Sequence, residues 1–357
     1  MRLFNPRSAG SGPWHSPLFV ATARGARMAY RDCGPAEGEA WLVLHGGPGG
    51  AAHPGLAAPL QLACQRALLP DQRGAGRSSP AGRVAGNTTH QLVADLEVLR
   101  CSLGVDRWAV LAGSWGTVLA LRYAQCHPER VTRVVLRGAF AARRQELVGL
   151  LRADARRDAA VFANAHWPRT AGHHVAPALA RLEQVLRCGA PAVSARHVVR
   201  CWSLMEQRSA LRGLWRSLVH ASGVHPPSAT AQRRAWAQLK RQQRRALAGL
   251  LQRRTVRSDH RGLQKFRVQA HYLRRRCFLP AGGLDSAVRS LATHGIPSDW
   301  VHGRFDAVCP VANSQRWWRQ LELAAPGLAR NHRPVAGHLS GEPGMHDCLA
   351  QVVRHAR

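Results

Sequence analysis

The chain has 357 residues, with 51 Lys+Arg against 20 Asp+Glu and a net charge of +31 at pH 7. Hydrophobic residues make up 45%, enough to fill one large α/β domain carrying an insertion, or two domains. No apolar run reaches the roughly 18 residues of a membrane span, and nine scattered cysteines with no C-x-x-C spacing give no zinc framework, so neither a membrane nor a metal is an expected partner.

Residues 1–28 read as a polar lead-in containing Gly and Pro. They hold no continuous apolar stretch of the secretory kind, and with unpaired thiols this implies a cytoplasmic protein. A short strand is expected at Arg27–Arg31, then a turn-rich connection from Asp32 to Gly38. Trp41–Leu44 reads as a buried strand running into His45-Gly-Gly-Pro-Gly49. A Gly-rich loop at that end of a strand lets backbone N–H groups approach a reacting oxygen, although the pattern alone is also that of an ordinary turn. Leu68-Leu-Pro70 leads into Asp71-Gln-Arg-Gly-Ala-Gly-Arg-Ser78. The latter lacks the Gly-Lys-Ser/Thr ending of a phosphate loop, so it reads as a rigid loop in which Asp71 and Arg73 brace the Gly-rich one. Asn87-Thr-Thr89 starts a helix, with Leu92, Leu96, Leu99 and Leu103 at helical spacing.

Trp108–Ala112 is an unbroken apolar run, the pattern of a strand buried on both faces. It ends in Gly113-Ser114-Trp115-Gly116, and a helix follows until His127-Pro128 stops it. A strand, a tight turn on Ser and a helix form the context of a nucleophile elbow; in its G-x-S-x-G pattern the first Gly is here Ala112. Val131–Arg137 gives one more strand. From 141 to 280 the composition is helical and strongly basic, with 28 Arg+Lys against 6 acids and no clear strand. Strands return near Ser298–His302. A helical block inside an α/β sheet reads as a cap over the active site, so the core is expected at 1–140 and 281–357 and the cap at 141–280. Asp306 then falls in the loop Gly303-Arg-Phe-Asp306, and His338 ends Val335-Ala-Gly-His338. Each alone suits a turn or a surface. With Ser114 they arrive in the order Ser, Asp, His, which is the α/β-hydrolase order.

Taken together, His45-Gly-Gly-Pro-Gly49, Asp71-Gln-Arg-Gly74, Gly113-Ser-Trp-Gly116, His127-Pro-Glu-Arg-Val131, His302-Gly-Arg-Phe-Asp306 with Val308-Cys-Pro310, and Ala336-Gly-His338 resemble the proline iminopeptidase (prolyl aminopeptidase) family. The resemblance covers roughly residues 28–140 and 290–345. It implies an α/β-hydrolase fold with an inserted helical cap and a serine peptidase acting on small peptides without a cofactor. It further implies Ser114 as nucleophile, Asp306 as acid, His338 as base, and the backbone N–H groups of Gly46 and Trp115 as the oxyanion hole. The family's cap carries a Trp-Glu pair and a later Glu before His-Tyr-Phe, which hold the substrate's free amino group. His271-Tyr-Leu273 stands in the second place, with Gln269 at the acid position. For the first, Trp202-Ser-Leu-Met-Glu206 keeps an acid, whereas Trp236-Ala-Gln-Leu-Lys240 carries Lys. Substrate binding is therefore expected at Glu206 and Gln269.

Two other readings stay open on the residues. One is an esterase or amidase that does not require the amino group. The other is a polyanion binder on a hydrolase fold, since Arg233 to Arg276 holds 15 Arg+Lys and only Asp259 as an acid. No nucleic-acid motif accompanies that run, and Lys240 and Lys265 are the only lysines. A GC-rich coding background with a solvated helical face accounts for it, and no specific nucleic-acid partner is expected.

Overall fold

The computed structural model describes residues 16–152, 167–168, 174–187, 193–222, 226–250, 254 and 256–354. Most of the lead-in, on which the secretory-signal expectation falls, lies outside them, as do parts of the 141–280 block.

The elements follow the expected order. β1 (Leu18–Thr22), β2 (Ala26–Cys33) and β3 (Glu39–Leu44) precede a one-turn α1 (Pro54–Ala57) and β4 (Gln65–Pro70). Then come α2 (Thr89–Ser102), β5 (Trp108–Gly113), α3 (Trp115–Cys126) and β6 (Val131–Arg137). The strands order as β1-β2-β4-β3-β5-β6 and continue with β7 (Ser298–Val301) and β8 (Ala329–His332). β1–β2 and β2–β4 are antiparallel, and every later pair is parallel. The lead-in departs from expectation at its end. Leu18–Thr22 pairs with β2 although most of its side chains stay exposed, because an edge strand is stabilised by the ladder it joins rather than by a buried face.

Alternate residues of the central strands serve two separate cores. Leu42, Leu44, Val110, Ala112, Val134 and Leu136 pack with α2 and α3. Trp41, Val43, Ala109, Leu111 and Val135 pack on the other face, against Met345, Leu349, Val352 and Val353 of the C-terminal helix. Burial on both faces is why these strands read as continuous apolar runs rather than as an alternation.

Between β6 and β7 the described residues are helical and contain no strand: α4 (Arg144–Leu151), α5 (Val175–Leu186), α6 (Val193–Ser222), α7 (Pro226–Leu250), α8 (Arg257–Arg274) and α9 (Gly283–Thr293). α9 packs on α3. α10 (Val311–Ala324) and α11 (Pro343–Arg354) complete the chain. Arg233, Arg234, Arg241, Arg244 and Arg245 of α7 are exposed, so that part of the basic run is a solvated face. Among the described residues no helix is long and apolar enough to cross a membrane, eight cysteines are free, and no cluster of metal-ligating side chains occurs.

Candidate active site

The C-terminal ends of β3, β5, β6 and β7 converge on one cavity of about 570 Å³, whose walls include His45, Gly46, Ser114, Arg137, Glu206, Lys265, Gln269, His338 and Glu342. Ser114 sits between β5 and α3 with φ 56° and ψ −127°, a left-handed backbone that a non-Gly residue adopts only when its surroundings impose it. Here its N–H donates to Arg137 O at 2.9 Å, and its carbonyl accepts from the Thr117 N–H and from Thr117 Oγ1 at 2.7 Å. The glycines beside it have steric causes. A methyl on Gly116 would meet Leu44 O at 2.8 Å, and one on Gly113 would meet Cζ of Arg137 at 2.7 Å. Ala112, where the pattern has Gly, is an ordinary buried strand residue, so nothing there demands a bare Cα.

Asp306 and His338 come together: His338 Nδ1 lies 2.7 Å from Asp306 Oδ2. The other carboxylate oxygen accepts the N–H groups of Val308 (2.8 Å) and Cys309 (2.9 Å). His302 Nε2 also approaches Asp306, at 3.3 Å, with both side chains fully buried. Burial pushes the Asp306 carboxyl up, but the charge of His338 and the hydrogen bonds from His302 and His338 outweigh it and hold the group well below the usual carboxylate range. The pair therefore contains a fixed anion. His338 and Ser114 line the same cavity.

The Gly-rich loop reaches Ser114 closely. A methyl on Gly46 would lie 3.2 Å from both Gly113 O and Ser114 Cβ. Trp115 is the first residue of α3, where a backbone N–H has no partner inside the helix. His45 Nε2 accepts the Gln72 N–H at 3.0 Å, and Nδ1 lies 2.9 Å from Gly46 O. A ring nitrogen that accepts a backbone N–H carries no proton, so His45 is the neutral Nδ1–H tautomer, in keeping with burial pushing its pKa down.

The bracing of this loop differs from expectation in one respect. Asp71 does brace it, accepting the N–H groups of Ala52 (2.7 Å) and Arg77 (2.8 Å). Arg73 instead turns away to Asp95, at 2.6 Å, and to Ala23 O. Gln72 takes its place. Its Nε2 donates to His45 O at 2.9 Å and its Oε1 accepts from Trp115 Nε1 at 3.0 Å. One side chain thus ties the two loops that carry Gly46 and Trp115.

Three further residues escaped the sequence reading. Arg137, 8% exposed, donates through Nη1 to His338 O. Glu342 accepts the N–H groups of Gly337 (2.5 Å) and Leu339 (2.9 Å), one on each side of His338. Burial pushes its carboxyl up to about 6. Lys265 donates to the Glu206 carboxylate, which also accepts from Gln269 Nε2 at 2.8 Å. A charged residue closing an apolar strand was the available signal for Arg137. Glu342 and Lys265 carried none.

Of the two Trp-containing candidates, Trp202–Glu206 reaches the cavity: Trp202 is buried against Phe266 (centroids 4.9 Å apart) while Glu206, one turn on, lines the wall. Trp236 and Lys240 line a different hollow with Trp215. The helix carrying Gln269 is fastened to the core through Asn87, whose Oδ1 accepts from Tyr272 OH at 2.7 Å and whose Nδ2 donates to Arg73 O at 2.8 Å.

Comparison with known proteins agrees with this architecture. The family profile of the alpha/beta hydrolase fold matches residues 41–344. A proline iminopeptidase of Xylella fastidiosa (strain Temecula1) is 33% identical over 90% of both chains. One of Xanthomonas citri is 31% identical over 91% of both, and one of Arabidopsis thaliana is 30% identical over 89% of this chain and 73% of its own. Among solved structures, a thermophilic esterase from Thermogutta terrifontis superposes with a TM-score of 0.55 at 18% identity, over 95% of this chain and 97% of its own, a likeness of fold alone. With an alpha/beta hydrolase profile spanning most of its length and curated relatives aligned nearly end to end, this chain is a hydrolase and belongs to the proline iminopeptidase family.

Proposed function

We propose that the protein is a serine hydrolase that releases an N-terminal residue, proline by analogy with its relatives, from short peptides through an acyl-enzyme. The observation that carries this reading is a left-handed Ser114 on a strand-to-helix turn, opening on the cavity that His338 lines with Asp306 behind it. A serine hydroxyl is a weak nucleophile at neutral pH. In this reading His338 takes its proton as Ser114 Oγ attacks the scissile carbonyl. Asp306 holds the imidazole in the Nδ1–H tautomer and stabilises the imidazolium. The N–H groups of Gly46 and Trp115 receive the oxyanion of the tetrahedral intermediate. His338 then protonates the leaving amine, and a water activated by the same imidazole releases the acyl group from Ser114. These steps draw only on side chains, backbone and water.

The helices α4–α8 act as the cap that shields this chemistry. The free cysteines suit the reducing cytoplasm. Ser114→Ala, purified free of wild type, tests the reading against prolyl-naphthylamide. Turnover should fall by about 10⁴-fold or more with the circular-dichroism spectrum unchanged. Retention of a tenth of the activity would refute it. A second reading, hydrolysis of esters or amides whose acyl group bears no amine, is favoured by Gln269, which offers the cavity an amide where the family implies a carboxylate.

A further inference from the structure

Asp306 Oδ2 faces two imidazoles, and the proposed reaction engages only His338, whose Nδ1 lies 2.7 Å away. The second is His302, the residue after β7, with Nε2 at 3.3 Å and both side chains fully buried. The same Nε2 lies 3.1 Å from Cys309 O. A carbonyl and an ionised carboxylate can only accept, so this nitrogen carries a ring proton and shares it between them. Ser314 of α10, itself fully buried, fixes the ring from its other nitrogen, with Oγ 2.7 Å from Nδ1. Backbone closes a further side: a methyl on Gly138 would lie 3.3 Å from Asp306 Oδ2 and 3.2 Å from His338 Nδ1. Arg137, the Cys309 thiol and Glu342 also face Asp306, but none of them is bonded to its carboxylate among the described contacts. There, His302 is the one side chain besides His338 that donates to it.

We propose that His302 is a positioning residue for the reaction: its Nε2–H engages the Asp306 oxygen that faces His338 and so sets how strongly that anion holds the His338 proton. This deepens the preceding reading and rests on its assignment of His338 as the base. A hydrogen bond to a carboxylate spreads its charge, and the positive end of the His302 N–H points toward the imidazolium that forms. Both effects loosen the hold of Asp306 on that proton. A base that takes a proton from Ser114 and passes it to a leaving amine must release it as readily as it takes it. With His338 alone on Oδ2 the imidazolium would be over-stabilised, and the neutral, reactive ring would form only at higher pH. The shared bond to Cys309 O adds a positional part, because the Cys309 N–H holds the other carboxylate oxygen at 2.9 Å. His302 thus clasps both ends of the turn from Asp306 to Cys309.

The test reads His338 directly by NMR of isotope-labelled histidine and needs no turnover. In the wild type, His302 should show a slowly exchanging Nε2–H with a nuclear Overhauser contact to the His338 Nδ1–H, because both protons point at one oxygen. That measurement decides even where a variant fails to fold. His302→Phe keeps a ring and removes the donor. The pH midpoint of the His338 ring should then rise by about half a unit or more, and the acid limb of kcat/KM for prolyl-naphthylamide should move with it. His302→Gln, which returns an amide N–H toward Oδ2, should bring the midpoint back to within about 0.2 units of wild type. A clasp that only steadied the turn would cost stability or kcat and leave the midpoint in place. The proposal is overturned if the His302 proton sits on Nδ1 alone, if His302→Phe lowers the midpoint or leaves it within about 0.2 units, or if His302→Gln shifts it as far as His302→Phe. If prolyl-naphthylamide is not turned over while the ring midpoint still moves, the role of His302 stands and the substrate reading falls.

Discussion

Gly113→Ala tests how closely the elbow and the His338 loop are coupled through Arg137. Gly113 does not have a left-handed φ, so alanine fits the backbone, and the cost must come from contact. The added methyl would overlap Nη2 of Arg137 and lie 2.7 Å from both Cζ and Nε, against an ordinary separation of about 3.5 Å. The guanidinium must therefore move by roughly an ångström or more. It is 8% exposed and bonded to His338 O, so any displacement strains or breaks that bond. Loss of that charge-assisted bond is worth about 1.5–3 kcal/mol, and a carbonyl left unsatisfied adds to it. A total of about 2–4 kcal/mol is expected. Because the displaced carbonyl belongs to His338, turnover should fall too, by about 10²-fold for an ångström of misplacement. Urea unfolding and prolyl-naphthylamide kinetics measure both effects, and Arg137→Met supplies the control. Without the guanidinium the methyl has room, so Gly113→Ala should cost less than about 1 kcal/mol in that background. Equal costs in the two backgrounds, within about 0.5 kcal/mol, would refute the coupling.

Glu342 gives a pH signature. Its folded carboxyl is pushed up to about 6 from an ordinary 4.5, so the folded state binds the extra proton between those values. The stability this contributes is present below about pH 4.5 and is lost as pH rises through about 6, a change of about 2 kcal/mol. The unfolding free energy of wild type minus that of Glu342→Gln should therefore fall by that amount from pH 4 to 7, and a flat or rising difference contradicts the assignment. Gln72→Ala removes the only side chain bridging His45 O and Trp115 Nε1 among the described bonds. It should lower kcat about 10–100-fold for ester and amide substrates alike while KM stays within about twofold. An unchanged kcat would show that the two loops hold their places without it.

What was legible in the sequence is what short-range chemistry writes there. Gly113, Gly116 and Ser114 announce a tight turn because each is fixed by neighbours within a few residues or by the strand beside it. The apolar runs of β3, β5 and β6 announce strands buried on two faces. The order Ser114, Asp306, His338 is a property of the chain itself. What was hidden depends on partners distant in sequence. Gln72 became a bridge only when β4 and α3 met, and Arg73, its neighbour, was misassigned because one residue along a loop reverses the side chain's direction. Glu342 and Lys265 sit on ordinary helix-start and helix-surface patterns, and their roles exist only in the company of His338 and Glu206. β1 escaped because an edge strand with exposed side chains has no apolar signature.

Asn87 has a consequence for remaking the pocket. Its amide joins Arg73 O on the rigid loop to the Tyr272 hydroxyl on α8, and α8 carries Lys265 and Gln269. The α8 wall is thereby keyed to the same loop that steadies Gly46, and a backbone shift there reaches the reaction centre. The α7 wall, with Ala235, Gln238, Leu239 and Gln242 on the cavity, is tied elsewhere: Gln232 Nε2 donates to Val335 O at 3.3 Å, on the segment that leads to His338. A designer or a lineage seeking new substrates thus meets two differently anchored surfaces: a shift of α8 is felt at the loop that steadies Gly46, and a shift of α7 at the segment that carries His338.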